Sequence, residues 1–387
     1  MKQIRGHEEA RTALARARLA DSIPSALLIH GEPGVGKQRL ALWTAQLVLC
    51  RDPGPGGPCG RCKDCRLVQG LEHPDLHWFF PLPRPSGSHS PDKLAELLED
   101  ARAEALAERR KEGLWSVRSD EVRGLYLAMA RTLRRMAQRK PAMAGRQVFI
   151  IAEAEELVPQ ASSPEAANAL LKLLEEPPEG TLFVLTSSLP GRLLPTIRSR
   201  TFPLHLPGLP FETVRNFLLE ELGAGREEAE KAARLAQGSI GRAMEYLPKG
   251  GSPGSLEELR EASFHLLRAG LEANPGRGLA LAHDYPPAGA RALLERFDHL
   301  EEWLRDLAAA AAGQDGRVLN RDARDYLARI VREKGIHPVS AARALEPVEE
   351  ARRLASGNVN PQLVVAVLVR ELREILLPDA PRPASDR

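Results

Sequence analysis

The sequence feature that most constrains the fold is the segment GEPGVGKQ, which begins at Gly31. It matches the phosphate-binding loop pattern G-x-x-x-x-G-K-[S/T] except at its last position, where Gln38 stands. The apolar run SALLIH precedes it and RLALWTAQLVL follows it, which is the strand-loop-helix context that a true phosphate loop requires. The sequence therefore predicts a phosphate-loop fold, in which Gly31, Gly34 and Gly36 turn the backbone and Lys37 faces phosphate oxygens.

Short apolar runs predict the strands of the accompanying sheet. Each is rich in Val, Ile, Leu or Phe, is bounded by Gly, Pro or Ser, and is separated from the next by helical patterns. Such alternation predicts an α/β core with a parallel sheet buried between flanking helices. The predicted strands are ALLIH (26–30), QVFII (147–151), TLFVLT (181–186) and TFPLHL (201–206).

The residues that would bind magnesium in a nucleoside triphosphatase are replaced at two positions. Gln38 stands where a hydroxyl should follow the loop lysine, and Ala152 stands where an aspartate should end a neighbouring strand. Glu153, the candidate base, remains. Because phosphoryl transfer depends on the charge of the metal, we expect hydrolysis to be absent or very slow. The sequence thus gives little support for ATP and Mg²⁺ as ligands of this chain, and it leaves phosphate binding by Lys37 open.

All four cysteines of the chain lie in one window with the spacing C-x8-C-x2-C-x2-C. Four thiolates can close a tetrahedral zinc site, and a complete set of ligands is typical of a structural ion. An iron–sulfur cluster and four free thiols are the alternatives. We expect zinc, with the ligands Cys50, Cys59, Cys62 and Cys65.

The remaining segments predict an inserted element and a helical second half. Residues 82–116 read as a flexible linker followed by a charged helix, which we expect to be an appendage on the core. After residue 207 the pattern is wholly helical, with the linker PKGGSPGS before a helical region at residues 256–377. The last segment, residues 378–387, is expected to be disordered.

Composition excludes some classes of function. No run of residues is long and apolar enough for a membrane span or a signal peptide, so we expect a cytoplasmic chain without a membrane partner. The formal net charge of +2 is too small to indicate nucleic-acid binding by itself. The basic run RTLRRMAQRK at residues 131–140 is more simply a solvated helix face, and a local nucleic-acid patch is the alternative.

Several motifs together resemble one family. The glycine loop, the cysteine window followed by HPDLHWF, ANALLKLLEEPPEGTLFVLTSS, and LLPTIRSRTFPLHLPGL are similar to the bacterial DNA polymerase III clamp-loader family. The resemblance implies an AAA+ core at residues 1–207 with the zinc module at 50–65, an all-α lid at 208–248, and an all-α C-terminal collar at 256–377. The part of the chain that this resemblance does not cover is chiefly the inserted segment at residues 82–116.

Within that family the chain is more similar to the delta-prime type than to the ATP-hydrolysing motors, because both metal positions are altered. The alternative is a catalytically active gamma/tau-like subunit that uses Glu153 and another metal ligand. The resemblance implies a ring with gamma/tau-type motors and delta, which loads a sliding clamp onto primer-template DNA. A standalone enzyme is a weaker reading, because the helical C-terminal region carries no cluster of catalytic residues.

The resemblance also implies roles for three further residues. Arg200, in Ser-Arg-Thr, matches the arginine of the family's Ser-Arg-Cys motif, which reaches the ATP site of a neighbouring subunit. Arg198 is the neighbouring candidate. Thr186 matches a sensor of the γ-phosphate, and Arg242 matches the second sensor on the lid.

Overall fold

The computed structural model describes residues 4–112, 123–157, 165–272, 274–283, 290–357 and 359–377. The chain forms two compact units, residues 1–243 and 244–387. The first unit contains the glycine loop, the cysteine window and most of the predicted lid segment, up to residue 243. The finer division into core, lid and collar stays a prediction, and the predicted disordered tail lies outside the described residues.

The first unit is built on a five-stranded sheet in the order β2-β5-β6-β1-β7, and all of its pairings are parallel. A two-stranded antiparallel pair, β3-β4, lies beside it. Parallel strands place their carboxyl ends at one edge, so residues that follow β1, β5 and β6 meet there. The strands are β1 (Ala26–His30), β2 (Leu76–Phe79), β3 (Leu82–Pro83), β4 (Arg123–Gly124), β5 (Gln147–Ile151), β6 (Thr181–Ser187) and β7 (Phe202–His205).

Helices flank this sheet and complete the first unit. Helix α2 leaves the glycine loop directly and is buried along most of its length, which anchors the loop to the core. The helices are α1 (Glu8–Leu19), α2 (Lys37–Leu49), α3 (Lys63–Gln69), α4 (Pro91–Glu112), α5 (Leu127–Ala137), α6 (Glu165–Glu175), α7 (Pro195–Arg198), α8 (Phe211–Leu222), α9 (Arg226–Leu235) and α10 (Ile240–Tyr246), the last of which runs into the second unit.

The parallel α/β core is confirmed, with two corrections to its strands. Strand β2 is not among the predicted strands, because its run LHWF is short and interrupted by the polar His77. The fourth predicted strand is real but not buried: among the described strands β7 pairs with β1 alone, and Phe202 is 57% exposed. Pro203 explains its edge position, because proline cannot donate a hydrogen bond to a second neighbour.

The expectation that the inserted helix is an appendage was wrong. Helix α4 packs on the core through Leu98, which is buried, and through two arginines. The guanidinium of Arg102 lies 4.9 Å from the ring centre of Phe79, and that of Arg109 lies 3.5 Å from the ring centre of Phe80. Cation–π contacts of this kind let charged side chains cover a core. Residues 113–116 of the predicted insertion lie outside the described part of the chain.

The named elements of the second unit are all helices among its described residues. Its core contains the buried side chains of Phe297, Trp303 and Leu372. The buried Arg260 pairs with Glu257 at 2.6 Å. The helices are α11 (Ser255–Gly270), α12 (Pro275–His283), α13 (Ala290–Ala311), α14 (Arg324–Lys334), α15 (Pro338–Arg343), α16 (Leu345–Ala355) and α17 (Pro361–Leu376).

Candidate functional site

The glycine loop has the backbone conformation of a phosphate loop. Gly36, at the N-terminus of α2, has φ of 113°, and Gly34 has φ of 73°, values that favour glycine. A Cβ on Gly34 would lie 2.5 Å from the hydroxyl of Ser239, so this position also needs glycine for packing. The loop therefore joins β1 to α2 as the sequence predicts, and the lid segment contacts it directly.

Lys37 is turned onto the loop itself. Its Nζ donates to the carbonyl oxygens of Gly31 and Glu32, both at 2.8 Å, and the residue is only 7% exposed. Burial lowers the pKa of Lys37 from 10.5 to about 8, although Glu155 and Glu153 oppose the change. The ammonium is thus held by backbone dipoles where a phosphate would be its natural counter-ion.

Gln38 and Glu153, two of the predicted site residues, meet across the position expected for the metal. The side-chain amide of Gln38 donates to Oε1 of Glu153 at 3.2 Å. Glu153 has φ of 51°, a strained value for a residue with a side chain. Burial of its carboxylate raises the pKa of Glu153 and Glu155 raises it further, while Arg109 and Lys37 oppose this. The amide thus binds the acid directly and supplies no hydroxyl for a metal.

Thr186 and Arg242 also reach this edge of the sheet. The hydroxyl of Thr186, which is buried, accepts a hydrogen bond from the backbone N–H of Glu153 at 3.2 Å. The backbone N–H of Arg242 donates to the hydroxyl of Ser239, which itself donates to the carbonyl of Pro33 at 2.8 Å. Thr186 and the backbone of Arg242 therefore lie with Glu153 and the glycine loop at this edge, and Ser239 and Gly241 are hydrogen-bonded to the loop.

The inserted helix adds a cation that sequence reasoning missed. Arg109 lies over the ring of Phe80, one residue beyond β2, and β2 is the neighbour of the strand that ends before Glu153. Burial lowers the pKa of Arg109 to about 10, and the charge of Glu153 partly offsets this. No motif marks this residue, because its place depends on how α4 packs.

The four predicted metal ligands form one cluster. The sulfur atoms of Cys50, Cys59, Cys62 and Cys65 all lie within 4.8 Å of one another, and those of Cys59 and Cys65 are 3.9 Å apart. Zinc–sulfur bonds of about 2.3 Å in a regular tetrahedron give sulfur–sulfur distances of about 3.8 Å. The spacing of the four sulfur atoms therefore fits a single metal ion. An iron–sulfur cluster, which contains bridging sulfides, would hold the cysteine sulfurs further apart.

Hydrogen bonds prepare these sulfurs for metal binding. The backbone N–H of Cys62 donates to the sulfur of Cys59, and that of Cys65 donates to the sulfur of Cys62, both at 3.4 Å. Backbone N–H groups of Arg61 and Cys62 lower the pKa of Cys59 to about 6. Burial acts in the opposite direction and raises the pKa of Cys50 and Cys65. The cysteine window at residues 50–65, which we call the knuckle, stabilises at least one thiolate, and a dication would stabilise the set.

A buried carboxylate supports the knuckle through hydrogen bonds. Asp64, which is fully buried, accepts hydrogen bonds from Arg51 at 2.5 Å and from Nε2 of His73 at 3.4 Å. Burial alone would raise the pKa of Asp64, but hydrogen bonds and charge from Arg51 and His73 hold it below its ordinary value. Nδ1 of His73 accepts from the backbone of Asp75, so the proton is on Nε2. His73 is thus a support for the knuckle and not a metal ligand.

Arg200 lies apart from this site. It precedes β7, so it is at the amino edge of the parallel sheet, whereas the glycine loop is at the carboxyl edge. Its guanidinium is exposed and pairs with Oε1 of Glu175 at 2.7 Å, and it also donates to the carbonyl of Thr196 at 3.0 Å. Thr201 points inward and is buried, with its hydroxyl bonded to the carbonyl of Ile197. Arg200 therefore faces away from its own glycine loop.

The fold and these sites define a phosphate-loop α/β protein with a four-cysteine module inserted after α2. Comparison with known proteins agrees. A family model described as "DNA polymerase III, delta subunit" matches residues 6–210, which is more than half of the chain. The chain belongs to this family.

Individual relatives carry related names. DNA polymerase III subunit delta' of Pseudomonas aeruginosa is 37% identical over 176 residues, which are 45% of this chain and 40% of that protein. The subunit delta' of Escherichia coli is 26% identical over 362 residues, 92% of this chain and 91% of that protein. The tau subunit of Escherichia coli is 27% identical over 348 residues, 84% of this chain but 47% of that protein.

Among the described helices, none is long and apolar enough to cross a membrane.

Proposed function

We propose that this chain is a delta-prime-type subunit of the DNA polymerase III clamp loader and does not itself hydrolyse ATP. The observation that carries the proposal is the contact between Gln38 and Glu153 at 3.2 Å. It pairs the remaining acid of the site with an amide, next to Ala152 where a metal-binding carboxylate would stand. Without metal-binding side chains at these two positions the chain lacks the charge neutralisation on which phosphoryl transfer depends.

Its catalytic contribution is an arginine supplied to a neighbour. Arg200 lies at the amino edge of the sheet, so it acts on the ATP of an adjacent motor subunit and not on a ligand of its own loop. Its partner Glu175 is also exposed, and exposed ion pairs contribute little to stability. The guanidinium can therefore exchange this carboxylate for a γ-phosphate, where it would stabilise the charge of the transition state. Thr186 and Arg242 then serve packing and lid closure.

The partners we propose are gamma/tau-type motors, delta, the sliding clamp and primer-template DNA, and the setting is the cytoplasm. The four cysteines hold a structural Zn²⁺. Thiolate ligands and a tetrahedral set suit zinc, and the absence of an open ligand position suits a structural role. When bound, the ion would tie the end of α2 to the start of α3. Metal analysis should give about one zinc per chain, and iron with visible absorbance would overturn this assignment.

ATP turnover by the purified chain tests the central part of the proposal. We expect no turnover above background for the wild type, with or without Mg²⁺. The double variant Gln38→Thr/Ala152→Asp restores both metal positions and is the matched comparison. Appreciable turnover by the purified wild-type chain, without other subunits, would refute the proposal and favour the gamma/tau-like motor.

A further inference from the structure

Two histidines lie side by side where strands β1 and β7 end. His30 is the last residue of β1, His205 is the last residue of β7, and the two are partners in the parallel register of these strands. Register partners in neighbouring strands project their side chains from the same face of the sheet. The centres of the two imidazole rings are 5.1 Å apart, and the ring planes meet at 41°. We call these two residues the histidine pair.

The ring nitrogens of the histidine pair are free of hydrogen bonds. Among the described residues, neither imidazole has a hydrogen-bond or ion-pair partner, and the rings contact each other. Other histidines of this chain are bonded: Nε2 of His7 lies 2.9 Å from the carbonyl oxygen of Val35, and Nδ1 of His299 lies 3.1 Å from a carboxylate oxygen of Glu302. A neutral imidazole has one nitrogen with a lone pair. The histidine pair therefore offers two such nitrogens at one place.

The surroundings of His30 favour its uncharged form. Burial lowers the pKa of His30, and the charges of His205 and Lys37 lower it further. An imidazole must lose its proton before that nitrogen can bind a metal ion. At neutral pH, His30 is therefore already in the form that binds metal.

The spacing of the two rings fits one metal ion between them. A metal–nitrogen bond of about 2.05 Å places an ion about 3.2 Å from the centre of each ring, so a tetrahedral angle separates the ring centres by about 5.2 Å. The observed separation is 5.1 Å. His205 is exposed and His30 is half-buried, so water molecules can supply the other ligands of the ion.

We propose that the histidine pair binds one divalent transition-metal ion of the kind that imidazole prefers, such as zinc, nickel or copper. The ion would join the end of the edge strand β7 to the residue that precedes Gly31 of the glycine loop. Among the described strands β7 pairs with β1 alone, so this link would reinforce its single attachment to the sheet. The site shares no residue with the cysteine cluster, and it goes beyond the proposed function without depending on it.

The affinity of this site should be lower than that of the cysteine cluster. Imidazoles that bind metal tightly donate their second nitrogen to a carboxylate or carbonyl, which raises their basicity. The histidine pair has no such partner among the described residues, and it supplies two ligands where the cysteines supply four. The ion at the histidine pair should therefore be lost on dialysis, whereas the zinc of the cysteine cluster should remain.

The test is a calorimetric titration of the full-length chain with Ni²⁺, after the cysteine cluster has been loaded with about one zinc per chain. The wild type should bind one further ion. The variants His30→Gln and His205→Gln should each weaken nickel binding by about 100-fold, because the second imidazole no longer acts as an intramolecular ligand. Nickel should also raise the unfolding temperature of the wild type, and it should leave that of both variants unchanged.

Two controls separate this site from other sources of nickel binding. His265→Gln removes an exposed histidine of the second unit and should bind nickel as the wild type does. Metal analysis of the nickel-loaded chain should still find about one zinc per chain. His205→Phe keeps an aromatic ring beside His30 but removes one ligand, so it should lose nickel binding even where the packing of the rings is retained.

Three results would overturn the inference. One is nickel binding by the wild type only above about 1 mM, the affinity of a weak and non-selective contact. Another is nickel binding that is unchanged in both His30→Gln and His205→Gln. The third is uptake of nickel matched by an equal loss of zinc, which would place the nickel at the cysteines. Failure of the chain to assemble with motor subunits would count against the proposed function alone, because the titration uses the isolated chain.

Discussion

The buried ammonium of Lys37 makes a prediction whose sign and size follow from the structure. Its pKa falls from 10.5 to about 8 in the folded chain. Each tenfold change in proton affinity is worth about 1.4 kcal/mol, so the charged lysine costs the folded state about 3 kcal/mol at neutral pH. Between pH 8 and 10.5 the unfolded chain binds more protons than the folded one. Stability should therefore rise with pH across this window, relative to a chain without the lysine.

The assay is the free energy of unfolding by denaturant at several pH values from 7 to 10.5, for the wild type and Lys37→Met. The difference between the two should shift by about 3 kcal/mol in favour of the wild type as the pH rises. Lys334→Met, at an exposed position, is the control and should give a curve parallel to the wild type. Parallel curves for Lys37→Met as well would refute the idea that burial of the ammonium destabilises its charged form in the folded chain.

Three other substitutions test separate parts of the structure. Cys62→Ser should lower bound zinc from about one per chain to a small fraction, measured by metal analysis after dialysis. Asp75→Ala should lower the free energy of unfolding by about 3 kcal/mol or more, because this buried carboxylate accepts three backbone N–H groups at residues 142–144. Glu175→Gln should cost less than about 1 kcal/mol, since the pair with Arg200 is exposed. A loss above 2 kcal/mol would make Arg200 a structural residue.

The parts of the fold that sequence reasoning predicted correctly have strong local signals. The glycine loop needs positive φ at Gly34 and Gly36, and only glycine adopts such angles without strain. The strands that contain Val148 and Val184 are buried on both faces, so their apolar runs are unbroken. The cysteine cluster was predicted from spacing alone, because the ligands lie close in sequence as well as in space.

The parts that were missed depend on tertiary contacts. Strand β2 contains the polar His77, which stacks on Phe149 with ring centres 4.6 Å apart. The polar residue interrupts the apolar run from which a strand would be predicted, and only the folded structure shows the stacking. The sequence of α4 is charged, yet Arg102 and Arg109 lie over aromatic rings and cover the core. No pattern of charge distinguishes such arginines from solvated ones. The contact of Arg200 with Glu175 could not be predicted from the sequence either, because the two residues belong to separate segments that only the folded structure brings together.

The most direct test of the central claim is the ATPase rate of a loader reconstituted with this chain and its motor subunits. Arg200→Ala should lower turnover at the adjoining ATP site by about 10³-fold, as expected for loss of an arginine finger. The loader should therefore lose the contribution of that site to its ATPase rate. Arg198→Ala, also exposed and two residues away, is the matched control and should leave the rate unchanged. Size-exclusion chromatography should show both variants assembled. Full ATPase activity in a correctly assembled Arg200→Ala loader would contradict the claim that this chain acts on its neighbour's ATP.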